Sequence, residues 1–111
     1  MAVVAETVAP ESPFEITAMT APVGIRLRGE VDIATLPTLE LALEILVDLA
    51  ADTTVDLHEL TFIDVGGLRA LARAAIRHRM AGRCLRLRGA GTRTRRVVSL
   101  LGWAELFEFA R

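Results

Sequence analysis

Residues 62–71 read FIDVGGLRAL. An apolar run ends at Ile63, an acid and two glycines follow, and leucine and alanine then recur at helical spacing. That pattern marks a strand that stops in a tight turn and opens a helix. Asp64 is placed to cap the helix by accepting hydrogen bonds from the amides of its first turn. Gly66 and Gly67 suit a turn in which φ is positive or another part of the chain comes close. Turns at strand ends often carry a phosphate site, a nucleophile or a docking surface. Residues 64–68 contain no Ser, Thr, Tyr or Cys, so this turn offers backbone, shape and one carboxylate.

Upstream, VGIRLRG (23–29) alternates, with Val23, Ile25 and Leu27 on one side and Arg26 and Arg28 on the other. FEITAM (14–19) also alternates, and Pro22 and Gly24 point to a hairpin between the two. After the loop EVDIAT, a helix is expected over about residues 36–50. Its core face carries Leu36, Leu39, Leu43, Leu46, Val47 and Ala50. Glu40, Glu44 and Asp48 form an acidic stripe beside that face, and Leu41 and Ile45 lie away from it. TTVDL (53–57) reads as a third strand.

Downstream, the second helix is expected from Gly67 to about Ala81, with Leu68, Leu71, Ala72 and Ala75 inward. Arg69, Arg73 and Arg77 stand outward, flanked by Ile76 and Met80, and Gly82 ends the helix. CLRLRG (84–89) is a further strand. Thr92 is the expected N-cap of a third helix over about 93–101, stopped by Gly102, and WAELFEF (103–109) reads as a short apolar helix or turn. Strands alternating with helices imply an α/β fold: a mixed, mostly parallel sheet of about four strands with three to four helices, joined by right-handed crossovers.

The 111 residues suit one domain, here 14–111 behind a flexible tail at 1–13. No apolar run reaches the ~20 residues of a membrane span, and the start, MAVVAETVAPESP, lacks the basic and apolar regions of a signal peptide. A cytoplasmic location is expected. One cysteine, Cys84, excludes an internal disulfide. Charge is lopsided along the chain. Through Asp64 there are 12 acids and 2 arginines, a net of −10; from Val65 on there are 11 arginines and 2 acids, a net of +9. The field this creates depends on whether the fold separates or interleaves the halves.

Three segments, LRGEVDIATLPTLELAL (27–43), VDLHELTFIDVGGLRAL (55–71) and LLGWAELFEF (100–109), resemble the runs of the STAS domain at the corresponding points. The likeness covers about residues 14–110 and is to the anti-sigma factor antagonist (anti-anti-sigma factor) type. In such antagonists the turn reads Asp-Ser-Ser/Thr-Gly-Leu, and a kinase that is also the anti-sigma factor phosphorylates the second hydroxyl residue. Here Asp64, Gly67 and Leu68 match, while Val65 and Gly66 do not, and Gly66 stands at the acceptor position. The resemblance therefore implies the fold and the partner-binding role without the phosphoswitch.

The expected function is that of a non-catalytic bacterial interaction domain that regulates sigma-factor-dependent transcription. Its partner would be an anti-sigma factor of the histidine-kinase-like ATPase type. The expected docking residues are Asp64, Val65, Gly66, Gly67, Arg69, Arg73 and Arg77, since arginine pairs well with carboxylates at interfaces. The plainer reading of the arginines is a solvated helix face. Leu41 and Ile45 would meet a partner or a second copy in a homodimer. The alternative function is a scaffold that senses a nucleotide or small anion near Gly89, Gly91 and Thr92, although RGAGTRTRR (88–96) is no Walker A or dinucleotide motif. Ten arginines between 69 and 96 raise nucleic acid as a third partner, opposed by the near-neutral total charge and the lack of a recognition motif. His58, His78 and Cys84 have no metal-ligand spacing, no Ser sits at a sharp strand–helix turn, and neither an enzyme nor a cofactor is expected.

Overall fold

The computed structural model describes residues 14–111; the tail expected at 1–13 lies outside the described residues. The elements run β1 (Glu15–Thr20), β2 (Val23–Val31), α1 (Leu36–Asp48), β3 (Thr53–Ile63), α2 (Val65–Met80), β4 (Leu85–Arg88), α3 (Thr92–Leu100), a 3-10 turn (Ala104–Leu106) and β5 (Glu108–Ala110). The sheet order is β1-β2-β3-β4-β5. β1 and β2 form the expected antiparallel hairpin, and every other neighbouring pair is parallel.

The expected four strands are five. In 103–109 only Ala104–Leu106 turns, as a 3-10 segment, and the chain then adds β5 along β4, with Phe109 opposite Leu87. Phe107 and Phe109 pack edge to face with centroids 6.1 Å apart, so aromatic burial and the free edge of β4 overrode any helical tendency. β3 runs on through the polar HELTFI, because its second half pairs with Arg28–Val31 across shifts in register. α2 begins at Val65, two residues earlier than expected. α3 is capped by Gly91 and not by Thr92, which is already helical. Ala50 is not on the core face of α1: the helix ends at Asp48, and Ala50 is exposed with φ 53°.

Alternation along the strands divides the sheet. Ile25, Leu27, Val55, Leu57, Leu85 and Leu87 are buried against Leu39, Leu43 and Leu46 of α1, Leu68, Leu71 and Ala75 of α2 and Val98 of α3. His78 belongs to this core. Its Nδ1–H donates to the Ala74 carbonyl at 2.7 Å, and Nε2 is hydrogen-bonded to the Thr53 hydroxyl at 2.8 Å. Both ring nitrogens are hydrogen-bonded within the core.

The other sheet face is built from ion pairs. Asp56, 3% exposed in its side chain, accepts two hydrogen bonds from Arg88 at 2.7 and 3.0 Å and lies 3.6 Å from Arg26. It also accepts from the His58 amide at 2.8 Å and from His58 Nδ1 at 2.9 Å. Burial by itself raises the Asp56 pKa; the His58 amide and the Arg88 guanidinium outweigh it and hold the carboxyl at about 2. Arg86–Glu108 and Arg28–Glu15 continue the ladder toward the two edges.

The start of α2 is seated on the ends of β2 and β3. A Cβ at Gly67 would lie 2.6 Å from Val31 Cγ1 and 2.7 Å from Ile63 Cγ1, so only glycine lets the helix come this close. Gly66 has no such need. A Cβ there would meet nothing nearer than Asp64 Oδ1 at 3.4 Å, an ordinary contact, and the residue is not among the glycines with positive φ.

Gly67→Ala is accordingly expected to lose about 1–3 kcal/mol of folding free energy in chemical denaturation. Gly66→Ala should be neutral or gain up to about 1 kcal/mol, as alanine does over glycine within helices. Equal losses at the two positions would contradict the close approach at Gly67. For Asp56, the folded pKa is below the unfolded value. Its contribution is therefore complete above pH 3.8 and disappears as pH falls toward 2. Asp56→Asn should cost about 3 kcal/mol at neutral pH by leaving arginines without their carboxylate. The stability of the native chain should fall between pH 4 and pH 2 by about 2 kcal/mol more than that of the variant.

Candidate functional site

The turn is fixed by its own hydrogen bonds. Asp64 has extended backbone (φ −86°, ψ 178°) and its Oδ1 accepts from the Gly67 amide at 2.8 Å. Its own amide donates to the Val31 carbonyl at 3.1 Å, tying the turn to the end of β2. The expected N-cap role is thus present, with the carboxylate at the positive end of a helix. The neighbouring β2–α1 loop is equally fixed. Asp32 Oδ1 accepts from the Ala34 and Thr35 amides at 2.9 and 3.1 Å, and the Thr35 hydroxyl donates to the Glu30 carbonyl at 2.9 Å. Leu36 Cδ2 lies within 3.7 Å of the position a Gly66 Cβ would take, so loop and turn adjoin.

Large apolar side chains stand exposed around this rigid turn: Ile33 in the loop at 85%, Phe62 at 50% and Val65 at 44%. Beside them a groove of about 550 Å³ opens at the C-terminal ends of β3 and β4. Asp64 and Val65 line it from one side and Gly89, Gly91, Arg93 and Thr94 from the other, over a floor that includes Leu57, Leu68 and Val97. The two segments singled out in the sequence, the 64–68 turn and the 89–92 glycine loop, therefore share one groove.

The residues divide by what they can do there. Gly67 is buried and serves packing. Asp64, Val65 and Gly66 reach the surface at least in part. Gly89 has φ 75°, and a Cβ there would lie 2.5 Å from the His58 ring, so its glycine is explained without a ligand. Thr92 does not line the groove, while Arg93 and Thr94 do. The arginine stripe of α2 is only partly free. Arg77 donates to Glu44 of α1 at 2.7 Å, and Arg73 lines the same interhelical cleft as Glu40; Arg69, nearest the turn, is exposed.

His58, Phe62, Arg93 and Thr94 also line the groove; Arg93 and Thr94 belong to the RGAGTRTRR run considered for anions, and His58 and Phe62 were not expected there. Phe62 had a signal, a bulky aromatic directly before the capping acid. That the two segments share one groove had no signal, because chain segments about 30 residues apart meet only through the pairing of β3 with β4. Among the described residues no three His, Cys, Asp or Glu side chains gather as a metal site. Burial pushes the Cys84 thiol up, away from the reactive thiolate. No helix among the described residues is long and apolar enough to cross a membrane.

Comparison with known proteins agrees with this geometry. Residues 15–108 match the family model described as "Mlab, STAS domain". No curated protein matches the sequence. Among solved structures, the chain is similar to an anti-sigma factor antagonist from Mycobacterium paratuberculosis, at 25% identity and a TM-score of 0.68, over 90% of this chain and 86% of that one. The anti-sigma factor antagonist SpoIIAA in its unphosphorylated form matches at 16% identity and a TM-score of 0.67, over 89% and 87%. The phosphorylated form of SpoIIAA, a Bacillus cell fate determinant, matches at 18% and 0.66, over 89% and 92%. With the family match covering nearly all of the described residues, and with the strand–turn–helix site in place, the chain belongs to the STAS domain family.

Proposed function

We propose that this STAS domain is an antagonist that binds an anti-sigma factor of the histidine-kinase-like ATPase type, and that it does so without phosphorylation at the turn. The observation that carries the reading is the rigid turn itself: exposed Phe62, Val65 and Ile33 surround Asp64 and a bare Gly66. Buried aromatic and aliphatic anchors supply most interface energy, and a fixed backbone avoids the ordering cost of docking. Asp64 and Arg69 would add charge on either side of the apolar anchors. The domain acts by occupancy; binding, and not chemistry, is its activity.

Control of that occupancy would lie elsewhere than in a phosphorylated turn. The nearest hydroxyls are already engaged: Thr61 donates to the Gly29 carbonyl at 3.0 Å, and Thr35 to Glu30. A second reading is favoured by the shared groove, where Arg93 and the glycine loop could take a nucleotide or small anion. A second copy of the chain is a further partner, suited to the helices rather than the turn.

Calorimetry with an anti-sigma factor of this type from the same cell should give a measurable Kd. Phe62→Asp with Val65→Asp should weaken it at least about tenfold, as loss of a central anchor does. No binding to any such factor would end the proposal, and nucleotide binding lost in Arg93→Ala would establish the second reading instead. Incubated with ATP and the kinase, the native chain should gain no phosphate by intact mass. Gly66→Ser should become an acceptor, since the position has ordinary φ and room for a side chain. Stoichiometric phosphate on native protein at Thr61 or Thr35 would show that the switch had moved.

A further inference from the structure

The helix layer carries a second exposed apolar surface, remote from the turn in function and opposite the sheet. On α1, Leu41 is 68% exposed and Ile45 63%, and Leu49 follows one turn later at the C-cap. On α2, Ile76 and Met80 stand outward in the same way, Met80 at 81%. The flanking charges differ in sign. The α1 stripe is bordered by Glu40, Glu44 and Asp48; the α2 stripe contains Arg69, Arg73 and Arg77. Of the three acids, only Glu44 is in an ion pair among the described residues. An acidic apolar face and a basic apolar face therefore lie side by side on one chain.

The topology fixes how they align. β2, β3 and β4 are parallel neighbours, so α1 and α2 both return against the strands and run in the same direction. The Glu44–Arg77 bond at 2.7 Å sets their relative height. The outer residues Leu41, Ile45 and Leu49 of α1 and Ile76 and Met80 of α2 thus stand on two helices that run side by side in the same direction.

We propose that these two outer faces form a two-fold interface with a second copy of the chain, α1 of each copy lying on α2 of the other. Two face-to-face arrangements are open to a pair of side-by-side helices. A two-fold axis across the helices would put α1 on α1 and α2 on α2, acids on acids and arginines on arginines. An axis along the helices crosses them over and keeps each residue at its own height. Charge complementarity selects the second arrangement, because like charges placed opposite one another oppose association. The apolar stripe of α1 then lies on Ile76 and Met80 of the second copy, and the acidic border of α1 faces the arginine stripe of α2. The anchors Phe62 and Val65 and the groove remain free, and Arg69 is the one residue that the two surfaces share.

Sedimentation velocity on the full chain, with no partner present, reads the proposal directly. The chain should sediment at twice the monomer mass as concentration rises through the micromolar range, and Leu41→Glu with Ile45→Glu should leave it monomeric with an unchanged thermal transition. Glu40→Arg with Asp48→Arg should weaken pairing at least about tenfold, as should Arg69→Glu with Arg73→Glu, and an equal mixture of these two variants should pair again. In a Cys84→Ser background, Ile45→Cys protein should form a disulfide with Ile76→Cys protein and not with itself. A monomer at every concentration, pairing indifferent to these reversals, or Ile45→Cys protein linked to itself would each overturn the proposal.

Discussion

The absence of a side chain at Gly67 is the constraint on which the site depends. α2 can start where it does only because its first turn touches Val31 and Ile63 without a Cβ between them. That contact sets the helix directly on the ends of two parallel strands. Asp64 then has one geometry available, with its amide on Val31 and its carboxylate on Gly67. The turn is held from three sides and presents its neighbours, Phe62 and Val65, at fixed positions. The groove beside it exists because β4 also ends there, bringing the loop at Gly89–Gly91 alongside. A rigid surface of this kind suits recognition, where the cost of ordering mobile segments subtracts from affinity.

Charge is the second organising feature. A chain with a net of −10 in one part and +9 in the other could have made a strongly polarised molecule. The fold interleaves the parts instead. Asp56 from the acidic part sits beneath Arg88 from the basic part, and Glu44 pairs with Arg77. The strand pairing β3–β4 and the packing of α1 on α2 are the contacts that bring acidic and basic segments together. Among the described residues, Glu40 and Asp48 on the outside of α1 and Arg69 and Arg73 on the outside of α2 are in no ion pair. On the helix layer the sequence asymmetry survives as neighbouring acidic and basic stripes.

Val65 and Gly66 separate this turn from the antagonist pattern that Asp64, Gly67 and Leu68 resemble, and Gly66 stands at the acceptor position. A hydroxyl at that position would add phosphate charge at a helix N-terminus, where it is locally favourable, and would change any surface docked there. Glycine removes the acceptor without relieving strain, since neither its φ nor its surroundings require it. Packing explains Gly67 and conformation explains Gly89, whereas nothing in the structure requires glycine at 66. The proposed reading, occupancy without a phosphoswitch at the turn, rests on that contrast.

Much of this was legible in the residues. Period-two alternation in 23–29 and the 3.6-residue repeats read over 36–50 and 67–81 specify strands and helices by which side chains can be buried together, with ends that shift by about two residues in the structure. The Asp-x-x-Gly cap at 64–67 is local chemistry within one turn, so it too could be read directly. The exposure of Leu41 and Ile45 followed from angular position alone. Other features required the tertiary structure. Glu108–Ala110 became a strand because β4 offered a free edge, and HELTFI stayed extended because β2 was there to pair with it. Arg77 read as a free cation until α1 placed Glu44 against it. The joining of the 64–68 turn to Gly89, Arg93 and Thr94 depends on two strands ending side by side. Sequence determined the elements because propensity, capping and periodicity act within a few residues. The sheet's edges, the charge pairs and the groove were decided by contacts between distant segments, whose energies arise only when the chain has folded.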